Sequence, residues 1–266
     1  MKKSNNLIPG FSALFLLVFI LSSVLAPIAS HGQEIYQLKV YNFSTVSQEA
    51  RLDKFLEHSY LPALHRAGIA TVGVFKPVEG ENDFGKKIYI LIPFQSIGDY
   101  LNLPDLLEKD RVYQNTGKDY IDAPFDAPPY DRIENTLMKA FIDMPVLKVP
   151  NHPTPPGERI YEMRSYESAT EKLYESKVHM FNQGGEISIF EKLNFNAVFY
   201  GEVLIGSSMP NLMYMTTFPN RAVRDEYWSI FRVDPDWEIL RDLKEYENTV
   251  SKIDIFFLHP TDYSDI

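Results

Sequence analysis

The chain has 266 residues, 45% of them hydrophobic and 23% charged, with Lys+Arg 26 against Asp+Glu 36 and no cysteine. This composition excludes a disordered or collagen-like chain, and the missing cysteines exclude disulfides, thiolate metal sites and a cysteine nucleophile. A formal net charge of −10 lacks the basic footprint that a phosphate backbone requires, so nucleic acid is not an expected partner.

Lys2 and Lys3 precede an apolar run over residues 11–25, and the small residues Ala26, Ala29, Ser30 and Gly32 follow it. That is the layout of a secretory signal peptide. It is expected over residues 1–32, with cleavage between Ala29 and Gln33, and it implies export to the periplasm or the exterior. The run just reaches the length of a membrane span, so an uncleaved N-terminal anchor is the alternative. After cleavage no stable span is expected.

A first domain is expected over residues 33–146. It opens with a strand at 35–42 rich in Ile, Tyr and Val, then a helix over 47–67 with Leu52, Phe55, Leu56, Leu61 and Leu64 at helical spacing. Strands at 69–75 and 88–94 are parted by the turn cluster Gly80-Glu81-Asn82-Asp83. Ser96 is placed to cap a following helix, residues 117–132 read as a surface loop, and a fourth strand is expected at 136–146. A proline-dense linker, 147–158, follows. The second domain, 159–266, repeats the order: strand 159–166, helix 168–192, strands 195–205 and 211–218 around Gly206-Ser207-Ser208, helices beyond Pro219, and a last strand at 252–259. Asp234-Pro235 marks a helix start.

The two halves also resemble each other in sequence. Ile35-Tyr36-Gln37-Leu38-Lys39-Val40-Tyr41 aligns with Ile160-Tyr161-Glu162-Met163-Arg164-Ser165-Tyr166 at an offset of 125, and residues 88–94 align with 212–218 at an offset of 124. Two matches at nearly one offset indicate a duplicated unit. The order βαββαβ is that of the ferredoxin-like unit, so the fold class is α+β with two such units in tandem.

Lys177-Val178-His179-Met180-Phe181-Asn182-Gln183-Gly184-Gly185-Glu186-Ile187 and Phe190-Glu191-Lys192-Leu193-Asn194-Phe195 resemble the C-terminal domain of bacterial NIPSNAP-type proteins. So do Asn211-Leu212-Met213-Tyr214-Met215-Thr216-Thr217-Phe218, Asp234-Pro235-Asp236-Trp237 and Ser251-Lys252-Ile253-Asp254-Ile255. The likeness covers residues 159–266, and reaches the first half only through its repeat. It implies a unit of the dimeric α+β barrel type, here two copies closing one barrel with helices outside antiparallel sheets. It implies no settled enzymatic activity, since the family is better known for interaction and signalling proteins. The same architecture hosts cofactor-free monooxygenases, stress-response barrels and haem proteins, so the fold alone decides little.

Strand alternation puts Tyr161, Met163 and Ser165 on one face and Glu162, Arg164 and Tyr166 on the other. The first half repeats this with Tyr36, Leu38 and Val40 against Gln37, Lys39 and Tyr41. If the apolar face meets the helices, then Glu162, Arg164, Gln37 and Lys39 point to the barrel centre. There Arg164 is expected to pair with Glu162 or Glu202, as an ordinary ion pair or as part of a site.

His179, Gln183 and Glu186 fall on one stripe of the expected long helix. They could act as a base with an orienting carboxylate, supply one axial ligand to haem, or form a solvated face. Tyr200, Tyr214, Tyr227, Trp228 and Trp237 could line an amphipathic cleft or simply fill the core. The ligand-binding candidates are therefore Arg164, Tyr166, His179, Glu186, Tyr200, Glu202, Tyr214 and Trp228.

No metal site is expected: His58 and His65 are seven apart, and Asp119, Asp122, Asp126 and Asp131 lack the spacing of a calcium loop. No GxGxxG, GxxxxGK[ST] or GxSxG motif occurs. The expected protein is a ligand-binding or protein-interaction module, with a small amphipathic or aromatic ligand or a protein as partner and no cofactor. A cofactor-free monooxygenase or haem-binding enzyme with its site in the second half is the alternative. The oligomeric state is left open.

Overall fold

A computed structural model describes residues 32–151 and 153–266; the expected signal segment, save its last residue Gly32, and His152 lie outside them. The elements follow in chain order. In the first half, β1 (Ile35–Asn42) leads into α1 (Val46–Phe55), which continues through a π-helical turn (Leu56–Tyr60) into α2 (Leu61–Arg66). Then come β2 (Gly73–Pro77), β3 (Lys87–Phe94), α3 (Ile97–Lys109), α4 (Arg111–Thr116), α5 (Lys118–Ile121) and β4 (Arg132–Ala140). The second half runs β5 (Ile160–Glu167), α6 (Glu171–Phe181), α7 (Glu186–Lys192), β6 (Asn196–Ile205), β7 (Asn211–Phe218), α8 (Arg221–Arg232), α9 (Pro235–Arg241) and β8 (Lys252–Pro260).

Local chemistry sets the helix starts. Thr45 accepts the Gln48 N–H while the Gln48 side chain bonds back to the Thr45 backbone, a reciprocal cap. Ser96, Thr170, Asn220 and Asp234 cap α3, α6, α8 and α9 through their side-chain oxygens. Each such cap contributes about 1 kcal/mol.

The eight strands close into an antiparallel barrel in the order β1-β3-β2-β8-β5-β7-β6-β4. Each half therefore supplies four contiguous strands, and the halves meet at two seams, β2 with β8 and β4 with β6. The duplication is visible inside the barrel. Tyr36 of β1 packs its ring on Phe199 of β6, centroids 5.5 Å apart, and Tyr161 of β5 packs on Phe75 of β2 at 5.0 Å. Tyr36 and Tyr161 are related by the offset of 125, and Phe75 and Phe199 by 124, so each half seats its tyrosine on the other's phenylalanine.

One expectation is inverted. Tyr36, Leu38, Val40, Tyr161 and Met163 fill the barrel interior together with Met138, Met213 and Met215. Gln37, Lys39, Glu162 and Arg164 therefore lie on the outer face, under the helices, and not at the barrel centre. The reason is solvation. The interior is filled almost wholly by apolar side chains, so a charge there would have few partners, whereas the helix layer can bring its own polar groups down onto the sheet.

Smaller corrections follow from backbone geometry. The long helix expected at 168–192 is two helices, because Gly185 stands at φ +90° and a Cβ on Gly184 would lie 2.6 Å from the Met180 carbonyl oxygen. Asn182 ends α6 and α7 starts anew at Glu186. The fourth strand lies at 132–140, four residues before its expected place, since Phe141 leaves β1 and bonds the Tyr200 carbonyl. The strand expected at 69–75 starts only at Gly73. Among the described residues no helix is long and apolar enough to cross a membrane.

Candidate functional site

The two halves repeat one arrangement, a sheet whose outer face carries polar residues and a helix layer that covers them. In the second half this layer is closed around its charges. Glu162 has no accessible surface. It accepts from Arg224 Nε at 2.7 Å, Arg224 Nη2 at 2.6 Å, Trp228 Nε1 at 2.8 Å and Arg164 Nε at 2.6 Å. Burial alone would raise the Glu162 carboxyl, but the bonds from Arg224 and the charges of Arg164 and Arg224 outweigh it and hold the group below the ordinary carboxylate range. The Arg164 guanidinium lies 3.7 Å from the Trp228 ring centroid and donates to Tyr166 Oη, which shares a 2.9 Å hydrogen bond with Tyr214 Oη.

Beside this cluster Lys177 Nζ donates to Glu186 at 2.7 Å. Here burial wins: it pushes the Glu186 carboxyl up in spite of Lys177. Glu162, Arg164, Lys177, Glu186 and Arg224 each have an opposite charge as partner, so the arrangement clamps α6, α7 and α8 to the sheet.

The sequence candidates fall accordingly. Arg164, Tyr166, Tyr214, Trp228 and, through Lys177, Glu186 come together in this clamp. Tyr200 stacks on Tyr214 at 5.6 Å in the same core, and its hydroxyl finds no partner among the described residues. Glu202 stands apart, 3.3 Å from Lys139. His179 is exposed, with Nδ1 2.8 Å from Tyr246 Oη. It offers no axial ligand to the helix–sheet interior, and no histidine is among the buried described residues. Arg164 pairs with Glu162, not with Glu202.

The first half keeps the cation and omits the anion. Lys39 occupies the strand position of Arg164, and Gln37 replaces Glu162, donating to Asn135 Oδ1 at 2.6 Å. Lys39 Nζ sits 5.0 Å from the Tyr41 ring centroid and 5.1 Å from that of Tyr60. Among the described residues no carboxylate or other acceptor bonds it. Burial pulls its ammonium down to about 8. A cavity of about 340 Å³ opens against it, lined by Gln37, Tyr41, Phe55, Tyr60, Tyr100, Tyr113 and Tyr120, with Leu103 and Pro104 of α3 as a wall.

Local sequence builds this cavity. The π-helical turn at Leu56–Tyr60 carries Tyr60 over Lys39, a use typical of such turns. Tyr120 stacks face to face on Phe55 at 3.7 Å and shares a 2.8 Å hydrogen bond with Tyr41 Oη. Burial raises the hydroxyls of Tyr41, Tyr60 and Tyr120 above the ordinary phenol range, so they remain neutral donors and Lys39 is the one charge at the wall. The volume suits a small aromatic molecule. A signal for this site exists in the repeat alignment: position 37 drops the carboxylate while position 39 keeps the cation. No group of three or more His, Asp or Glu side chains among the described residues is placed to hold a metal ion.

Comparison with known proteins places the fold. A candidate monooxygenase from Lactobacillus acidophilus superposes with a TM-score of 0.57 at 9% identity, over 86% of this chain and 94% of its own. A second candidate monooxygenase, from Fusobacterium nucleatum, gives 0.54 at 7%, over 86% and 93%. A NIPSNAP family protein of Agrobacterium tumefaciens is 21% identical over 45% of this chain and 98% of its own, with a TM-score of 0.36. The first two superpositions show the barrel fold, and no curated protein matches the sequence. The NIPSNAP family model matches residues 161–265, which holds the clamp of Glu162, Arg164 and Arg224. The C-terminal half of the chain thus carries a NIPSNAP domain.

Proposed function

We propose that the protein binds small planar aromatic anions, and that the first-half cavity rather than the second-half clamp receives them. One observation carries this reading: Lys39 is a mostly buried cation with aromatic rings around it and no carboxylate partner among the described residues. A buried charge is costly unless paired, and an anionic ligand would supply the missing partner while the tyrosine rings stack on its plane. Direct titration with 2-naphthoate tests it. The wild-type chain should bind 2-naphthoate at least about tenfold more tightly than the neutral 2-naphthamide, and Lys39→Met should remove that preference, since one ion pair accounts for about 1.4 kcal/mol. Equal affinities for acid and amide would overturn it.

A second reading draws on the same cavity. The superposable proteins include candidate monooxygenases, and an aromatic hydroxyl compound held as its anion beside Lys39 would be electron-rich enough to react with oxygen. Oxygen uptake with a hydroquinone, lost in Lys39→Met, would move the protein from binding module to enzyme. Haem is less favoured here, since His179, its expected axial ligand, is exposed and bonded to Tyr246. For location, the reading that residues 1–32 direct export rests on Lys2, Lys3 and the apolar run behind them. N-terminal sequencing of the purified mature chain should begin between residues 30 and 33.

A further inference from the structure

Lys39 differs from the other enclosed lysines in what surrounds its nitrogen. Lys177 Nζ is held by Glu186 at 2.7 Å, and Lys76 Nζ by Glu49 at 2.8 Å and Asp53 at 2.7 Å. Each of these amines is bonded to at least one carboxylate. Lys39 Nζ has only ring faces near it, those of Tyr41 and Tyr60, and it opens on a cavity large enough for an aryl group. A nitrogen so placed can lose its proton without breaking an ion pair. Its fall to about 8 leaves about two hundredfold more free amine near neutral pH than an ordinary lysine has.

We propose that Lys39 is a nucleophile that condenses reversibly with aromatic aldehydes admitted to this cavity. The inference rests on the cavity accepting aromatic ligands, as proposed above, and adds covalent chemistry to it. The Nζ lone pair attacks the carbonyl carbon, a C–N bond forms, and the carbonyl oxygen takes up the proton that nitrogen loses, giving a carbinolamine. Its hydroxyl then leaves as water after gaining a second proton, and the nitrogen lone pair closes the C=N bond. Nothing is oxidised or reduced. The second proton comes from water admitted to the open cavity, while the hydroxyl pair of Tyr41 and Tyr120, 2.8 Å apart in the cavity wall, is placed to hydrogen-bond the departing oxygen; the protonated imine returns a proton to water.

The full chain incubated with 2-naphthaldehyde, reduced with borohydride and digested for mass spectrometry should carry the naphthylmethyl group chiefly on Lys39. That residue should label at least about tenfold faster than the mean of the exposed lysines, and excess 2-naphthoate should suppress it selectively. Lys39→Arg, checked for an unchanged circular dichroism spectrum, should lose the fast phase and keep the slow labelling elsewhere. If 2-naphthoate binds in a Lys39-dependent way but labelling follows surface exposure, the nucleophile is rejected and the binding site stands. If neither binding nor selective labelling occurs, both fall. Should the Arg variant misfold, protection of the wild-type chain by 2-naphthoate decides the matter alone.

Discussion

The two helix–sheet layers start from one pattern and end in opposite electrostatic states. In the second half Glu162 lies between Arg164 and Arg224, with the Trp228 N–H as a fourth donor, and its charges are paired under the helices. In the first, Gln37 stands where Glu162 does, and Lys39 is left with ring faces. One carboxylate more or less in a strand thus separates a structural clamp from a receptive pocket. The helix layer follows suit: α6 and α7 break at Gly184 and Gly185 and fold inward, whereas α1 and α2 stay continuous through a π turn that leaves room below.

The largest effect should come from unlocking the clamp. Glu162→Gln leaves the mostly buried Arg164 without its carboxylate and Arg224 with Asp225 alone, and should cost about 3–5 kcal/mol in urea denaturation. The wild-type contribution has a defined sign with pH. Because the native Glu162 carboxyl is held below its ordinary value, its stabilisation is complete above the unfolded value, about 4.3, and is lost as pH falls through the lower native value.

Removing the unpaired cation should act in the opposite direction. Lys39→Met should raise stability at pH 7 by about 1–3 kcal/mol, because the folded chain no longer shields a charge from water. The native Lys39 value of about 8 lies below its unfolded value, so the wild type bears the cost in full below pH 8 and recovers as pH rises toward the unfolded range. Thermal melts of the two proteins should therefore converge between pH 8 and about 10.4. A gap that stayed constant across that interval would show that the amine is not what destabilises the layer.

The subtlest test converts one half into the other. Gln37→Glu restores the carboxylate two residues before the cation, the spacing at which Glu162 meets Arg164 at 2.6 Å. It should pair with Lys39 and weaken 2-naphthoate binding by about tenfold, with little change in fold. Unchanged affinity would mean that Lys39 is not the anion's partner.

Much of this architecture is legible in the residues themselves. The offset of 125 pairs β1 with β5, and caps such as Ser96 and Asp234 mark helix starts where the structure has them. Alternation correctly separated Glu162, Arg164 and Tyr166 from Tyr161, Met163 and Ser165. It carries no sign, however: a period of two says that the faces differ, not which one the helices cover. The deciding partners, Arg224 and Trp228, lie some 60 residues downstream on α8. The cavity was harder still, because Tyr60, Tyr100, Tyr113 and Tyr120 converge only through tertiary packing, and its defining feature is a missing carboxylate.

The two seams that join the halves, β2 to β8 and β4 to β6, have an evolutionary consequence. A barrel assembled from two identical subunits must accept each substitution twice, so both of its outer layers change together. With both copies encoded in a single polypeptide, that symmetry is released. One copy is then free to specialise as scaffold while its twin explores new ligands, and the shared cylinder keeps either from unravelling.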